Sequence, residues 1–251
     1  MSSAYDTYNY PRYWQGRTYE HECEVIVLDS FFSKIGRVKS AVDIGGGYGR
    51  LIPEYKQYVD NVTLVDPSKR LLATAKKKGI ECVCIQSSVE EIPGKLKKKK
   101  YDVALLVRVM HHLEDPQKAL AILNSILKPG GHLIIEYANK THGKAMFKNM
   151  LNGNFTFPLD IFPVDRRSKK NRNEACIPFL NHHHDIIDKA IKDNGFEILS
   201  KRSVSNIRSK DMKKRVSMDV LIFFERLLQR PLAQMHFGPS IFILARKSTK
   251  A

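Results

Sequence analysis

Asp43-Ile44-Gly45-Gly46-Gly47-Tyr48-Gly49 is the stretch on which the fold turns. It closes a short apolar run, Lys39–Ile44, and opens a helical pattern, Gly49–Tyr58, so its glycines fall at a strand-to-helix turn. Glycine there lets the backbone fold sharply and lets a ligand approach without a Cβ in the way. The helix beyond offers free N–H groups. Gly45 and Gly47 fit the spacing of a dinucleotide loop, but Arg50 stands where its third glycine belongs. Asp43, two residues ahead, would repel a pyrophosphate, whereas it can accept hydrogen bonds or balance a cation. The ligand expected at this turn is therefore an amino-acid-bearing nucleoside.

Outward from the loop, short apolar runs alternate with helical stretches. Strands are expected at Lys39–Ile44, Asn61–Val65, Ile80–Ile85, Tyr101–Val107 and His132–Tyr137, with helices at Gly49–Tyr58, Ser68–Lys78 and Pro116–Leu127 between them. This alternation is the mark of a parallel sheet with crossover helices. In the last helix Asp115 can cap, Pro116 suits the first position, and Leu120, Leu123, Ile126 and Leu127 make one face. Lys128-Pro129-Gly130-Gly131 then reads as the stop and turn. Upstream, Val25, Leu28, Phe31 and Phe32 give a helix over Glu22–Phe32. Downstream, helices are expected at Asp185–Asp193 and Met218–Leu228, and strands at Phe196–Val204 and Ser240–Arg246.

The run D-x-G-x-G-x-G resembles the first motif of the class I S-adenosylmethionine-dependent methyltransferases. The similarity covers roughly Lys39 to Tyr137 and, more loosely, the final helix–strand pairs. Val62-Thr63-Leu64-Val65-Asp66-Pro67 resembles the second motif, an acidic residue ending strand two, whose carboxylate can take both ribose hydroxyls. Cys84-Ile85-Gln86-Ser87-Ser88-Val89-Glu90 stands where many members have G-D-A-E. The family aspartate there meets the adenine amino group, and here Ser88 occupies its place. Val107-Arg108-Val109-Met110-His111-His112-Leu113 resembles the loop after strand four. The nearest subgroup by pattern is type 11, the ubiquinone/menaquinone-biosynthesis-like one, which acts mostly on small molecules. The resemblance implies a Rossmann-like α/β fold, a doubly wound sheet of about seven strands with helices on both faces. It also implies S-adenosylmethionine as cofactor, held by Asp43, Gly45, Gly46, Gly47, Asp66, Pro67, Ser87, Ser88, Val89, Val107 and Arg108.

Other roles stay open beside these. Asp66 can also cap the helix that follows, and Ser87 and Ser88 can cap a helix as readily as meet adenine. Tyr13-Trp14-Gln15-Gly16-Arg17-Thr18-Tyr19 is either core packing or a flap over the cofactor, with Arg17 near its carboxylate. His112, at the mouth of strand four, is the candidate general base, and otherwise a wall residue beside His111. Asn181-His182-His183-His184-Asp185 reads as a solvated helix start. Adjacent histidines in a loop are expected to point apart, so no metal is assigned.

The 251 residues carry 42 Lys and Arg against 26 Asp and Glu, a net charge of +16. Lys76–Lys78 and Lys97–Lys100 precede strands, which puts them on the face opposite the cofactor. Arg166, Arg167, Lys169, Lys170 and Arg172 follow strand five, and Arg208, Lys210, Lys213, Lys214 and Arg215 precede the late helix, so both sets are expected on the active face. There they either rim a lid that attracts an anionic substrate or simply keep the surface solvated.

The expected organisation is one domain over residues 1–251. It comprises an aromatic flap (1–38), a cofactor core (39–137) and lid insertions after strands five and six (138–180 and 205–239). Four scattered cysteines exclude a disulfide framework, with Cys82 and Cys84 sharing one strand face. No apolar run approaches a membrane span and no signal peptide is read, so a cytoplasmic protein without a membrane partner is expected. The expected function is methyl transfer by in-line displacement to a small, anionic molecule. The alternatives are an RNA methyltransferase and a non-catalytic nucleotide- or RNA-binding protein on the same fold.

Overall fold

A computed structural model describes residues 10–96, 99–168 and 177–249, with the Lys210 side chain excepted. Residues 1–9 of the expected flap, and Lys97, Lys98, Lys169, Lys170 and Arg172 of the basic clusters, lie outside the described residues. The centre is a seven-stranded sheet built from β1 (Val38–Ile44), β2 (Val59–Asp66), β3 (Val83–Gln86), β4 (Tyr101–Leu106) and β5 (Leu127–Ala138), then β8 (Phe196–Val204) and β9 (Ser240–Lys247). Its order is β3-β2-β1-β4-β5-β9-β8. Two further strands, β6 (Val164–Asp165) and β7 (Leu180–Asn181), pair with each other apart from it.

Strand alternation sends successive side chains to opposite faces, and both faces are covered. Ala104 and Leu106 of β4 and Leu133 and Ile135 of β5 join a core under helices Pro116–Ile126 and His184–Asp193. Val103 and Leu105 of β4 and Ile134 of β5 join the opposite core, under helix Thr18–Ile35. The expected doubly wound α/β sheet of seven strands is what forms.

Several boundaries differ from the sequence reading, each for a local reason. Gly49–Tyr58 is not one helix but a turn, a short helix Ile52–Tyr55 opened by Pro53, and a 3₁₀ turn Lys56–Tyr58. Lys128–Gly131 does not precede β5 but belongs to it. The pairing with β4 jumps from Tyr101↔Leu127 to Val103↔His132, a bulge that Gly130 (φ +73°) and Gly131 permit. A Cβ on Gly131 would stand 2.9 Å from the Lys128 carbonyl oxygen. β9 runs antiparallel to both β5 and β8, a direction the hydrophobic pattern does not encode. Within 205–239, helix Met218–Gln234 packs on β8 and on helix Thr18–Ile35, so it covers the sheet rather than the cavity. Among the described residues no helix is long and apolar enough to cross a membrane. The Cys82 and Cys84 sulfurs lie 3.8 Å apart as neighbours, but β3 begins at Val83, so Cys82 sits in the bend before the strand and not on its face.

Candidate functional site

β1 and β4 are neighbours whose crossovers leave in opposite directions, which opens a crevice at their carboxyl ends. A cavity of about 1080 Å³ lies there. Arg17, Gly45, Gly47, Asp66, Pro67, Ser87, Ser88, Val89, Arg108 and His112 all line it. Asp43, Gly46 and Val107 do not. They sit one layer behind, with Asp43 and Val107 buried.

The glycine turn is shaped by what surrounds it. Gly45 (φ +67°) and Gly47 (φ +62°) hold left-handed backbone, and a Cβ on Gly45 would lie 2.3 Å from a Val109 methyl. A Cβ on Gly46 would press on Asp43 and Leu64, so this glycine is needed for packing. The Asp43 carboxylate braces the loop from below by accepting the Tyr55 hydroxyl hydrogen (2.9 Å). Burial pushes its pKa up to about 6, against the opposing pull of Tyr55 and Arg50. Asp66 ends β2 with one oxygen accepting from the Gly47 N–H (2.9 Å) and the other from the Ser68 N–H (2.8 Å). Helix Lys69–Lys77 is capped by Ser68, whose Oγ accepts from the Leu71 N–H, so Asp66 is not that cap. Ser87 and Ser88 cap no helix either. Ser87 donates to the Ser88 carbonyl (2.9 Å), and the next helix starts beyond Glu91.

The sequence reading missed the network that holds the front wall. Glu24 is fully buried and takes both Arg50 and Arg108, the latter through Nε at 2.7 Å. Burial pushes the Glu24 carboxyl up, but Arg108 and Arg50 outweigh it and hold it ionised. Trp14 lies across both guanidinium groups, 3.4 Å from Arg50 and 5.3 Å from Arg108 to the ring centre. Arg108 itself has φ +63°, a left-handed conformation uncommon for a side-chain-bearing residue. It is fixed there by its N–H donating to Glu136 Oε2 (2.9 Å), while Ser240 donates to Glu136 Oε1. Tyr10 completes the wall, its ring 3.3 Å from a Cβ built on Gly47. The one signal in the sequence was Glu24 itself, a charge on the apolar face shared by Val27, Leu28 and Phe31.

The far half of the cavity is lined by residues after β4 and β5. His112 Nδ1 lies 2.8 Å from the Pro178 carbonyl, which can only accept, so Nδ1 carries the proton and Nε2 the lone pair. Burial lowers its pKa, and lowers that of His111 further. Arg166 and Arg208 line the same half, and His142 between them is pushed down to about 4 by burial and by these two cations. Lys213 reaches Glu20 (2.6 Å) and Arg167 reaches Asp165 (2.8 Å). Lys99 and Lys100 line a separate cleft at the amino ends of the strands, opposite the cavity.

Adjacent histidines do not point apart in the loop before helix His184–Asp193. The His183 and His184 rings stack with centroids 4.2 Å apart, because His183 serves as the helix cap while His184 already lies in the first turn.

A doubly wound sheet with this glycine turn and an acidic residue ending β2 is the arrangement expected of a class I S-adenosylmethionine-dependent methyltransferase. Residues 42–135 match the family described as "Methyltransferase domain", and the chain is such an enzyme, with S-adenosylmethionine as its cofactor. A tRNA 5-carboxymethoxyuridine methyltransferase of Escherichia coli is 26% identical over 231 residues, spanning 88% of this chain and 85% of that one. A ubiquinone biosynthesis O-methyltransferase of Rickettsia felis is 29% identical over 118 residues, 45% of this chain and 47% of its own length. Among solved structures, magnesium protoporphyrin IX methyltransferase from Synechocystis, with bound SAH, superposes with a TM-score of 0.61 at 17% identity, covering 97% of this chain and 96% of that one. A methyltransferase from Thermotoga maritima gives 0.62 at 17% identity, covering 97% and 98%.

The residues present fit the cofactor. The turn keeps Cβ atoms out of the cavity wall at Gly45 and Gly47, and Asp66 presents a carboxylate beside them, held against the turn by the Gly47 and Ser68 N–H groups. About 1080 Å³ exceeds the usual range for one small ligand and leaves room for an acceptor next to it.

Proposed function

We propose that the enzyme methylates a small anionic acceptor, bound in the half of the cavity beyond β4 and β5. The observation that carries this reading is the pair Arg166 and Arg208. Both line the cavity, and among the described residues neither guanidinium has a carboxylate partner, whereas Lys213 and Arg167 beside them do. Two uncommitted cations at a cavity mouth raise the local concentration of an anion and orient it.

The cofactor lies along Gly45, Gly46 and Gly47, with the ribose on Asp66 and the adenine toward Pro67, Ser87, Ser88 and Val89. Arg17 faces its carboxylate, and residues 10–17 close over it as a flap. Asp43 and Val107 support the site from behind. Arg108 acts by position, since its guanidinium is committed to Glu24. The bound cofactor supplies a sulfonium methyl, and what the protein adds is alignment of the acceptor with it. His112 lines the acceptor half with Nδ1 bound to the Pro178 carbonyl, and its unprotonated Nε2 takes the acceptor's proton where one must leave.

One observation favours a second reading, RNA as the acceptor: the Escherichia coli relative matched over most of both chains is named for a tRNA uridine. The test is to incubate the enzyme with methyl-labelled S-adenosylmethionine and a cell extract separated into metabolite, RNA and protein fractions. Label in the metabolite fraction, with a flat salt response, supports the small acceptor. Label in RNA with a steep negative salt slope replaces it with the second reading.

A further inference from the structure

We propose that Lys34, Arg202 and Arg230, together with the hydroxyls of Ser30 and Ser200, bind the phosphate group of a small molecule. The site lies where β8, the outer strand of the sheet, meets helices Thr18–Ile35 and Met218–Gln234. None of the five residues lines the cavity.

A bulge in β8 builds it. The pairing with β9 passes from Ile198↔Ala245 to Ser200↔Leu244, which leaves Leu199 as an extra residue. Regular alternation would put Ile198, Ser200, Arg202 and Val204 on one face. Across the bulge the faces exchange: Ile198 packs against the core under helix His184–Asp193, whereas Val204 belongs to the core under helix Thr18–Ile35. Ser200 and Arg202 therefore stand beside Ser30 and Lys34 of that second helix.

The hydrogen bonds among them leave only donors for a ligand. Arg202 donates through Nη1 to Ser200 Oγ (2.8 Å) and the Lys201 carbonyl (2.9 Å), and through Nη2 to Ser30 Oγ (3.3 Å). Three of the five guanidinium N–H groups thus fix its plane beside the Phe31 ring, 5.8 Å from the ring centre, and two remain. Lys34 donates to the same Ser200 Oγ (3.3 Å). With both of its lone pairs taken, the Ser200 hydroxyl can only donate. Among the described residues Lys34, Arg202 and Arg230 have no carboxylate partner, whereas Lys201, on the other face of β8, is paired with Asp188. Partial burial and the charges of Arg202 and Arg230 lower the Lys34 pKa, and burial and Arg230 lower that of Arg202, as like charges do when no anion stands between them. A phosphate dianion supplies both missing elements, negative charge and several acceptor oxygens. Bound there, it would tie the helix that carries Glu24 to the outer edge of the sheet.

The test adds inorganic phosphate to the full chain, at a pH where phosphate is a dianion, and follows the ³¹P line width. Saturable binding of one phosphate per chain, at millimolar affinity or better, is expected. Lys34→Gln and Arg230→Gln, both at exposed positions, and Arg202→Gln should each weaken it by about fivefold. Arg166→Gln, in the cavity, should leave it unchanged. Equal binding in the Lys34→Gln and Arg230→Gln chains, or a loss confined to Arg166→Gln, would overturn the proposal. A single-stranded RNA of about ten nucleotides is the second probe. If it binds with a steep salt slope that Lys34→Gln and Arg230→Gln reduce, the cluster contacts a nucleic-acid backbone and the small-molecule assignment is wrong.

Discussion

The two halves of the cavity are built in opposite ways. The cofactor half is a closed network: Asp43 on Tyr55, Asp66 on two backbone N–H groups, Glu24 on two arginines, Glu136 on the Arg108 backbone. The acceptor half carries exposed Arg166 and Arg208, and the insertion behind it leaves Phe155, Leu159 and Phe162 more than 70% exposed. A ligand that never changes its shape repays a rigid, fully satisfied frame, whereas an acceptor site tunes by loop and charge on top of that frame. Perturbing the first half should therefore cost stability and cofactor affinity together, and perturbing the second should move only acceptor kinetics.

The largest break is expected at Glu24. Glu24→Ala leaves Arg108 and Arg50, both partly buried, without their counter-charge, a loss of about 3 kcal/mol, the low end for a buried pair, read as a lowered denaturation midpoint. A midpoint unchanged from the parent chain would mean that solvent reaches both guanidinium groups.

Next comes Asp43, whose contribution falls as pH rises. With its folded pKa near 6 against an ordinary 3.8, the native chain holds a proton that the unfolded chain has released. Stability from this group is thus fully present below the unfolded value and is lost as pH rises through about 6, a decline of about 3 kcal/mol by the shift. Asp43→Asn should flatten the stability profile between pH 4 and 6, and chemical denaturation across that range checks it.

Asp66→Ala follows, since it removes the acceptor of the Gly47 and Ser68 N–H groups: the denaturation midpoint should fall and S-adenosylmethionine binding should weaken by roughly 2–3 kcal/mol in calorimetry, the cost of hydrogen bonds to an ion. The smallest effect belongs to the acceptor half. Arg166→Glu and Arg208→Glu, both exposed, should each raise the acceptor KM by about fivefold while kcat and cofactor affinity hold, in keeping with charges near water. Should either change cofactor affinity instead, the division of the cavity is wrong.

The same contrast governs what could be read in the sequence. The glycine turn and Asp66 were legible because their signals are local, a few residues wide, at strand ends set by apolar periodicity. Glu24 was not, because its meaning depends on Arg108, 84 residues away, arriving at the same point. The direction of β9 was illegible because a strand buried on both faces reads alike in either orientation. The helix expected over Gly49–Tyr58 shortened because Pro53 can open a helix but not continue one. At His183 and His184 the reading assumed a loop, and the helix cap turned the two rings onto each other.

The place of β9 bears on how the molecule is made. β5 and β8 are sequence-earlier strands that never touch each other; Ser240–Lys247 slides between them and pairs with both. As the chain emerges from a ribosome, β1 to β5 can assemble while the outer edge of β5 waits unpaired and β8 has no partner at all. An open edge of this kind is a template for other chains. The enzyme thus completes its sheet only when Ser240–Lys247, the last of the seven strands in sequence, takes its place between the other two.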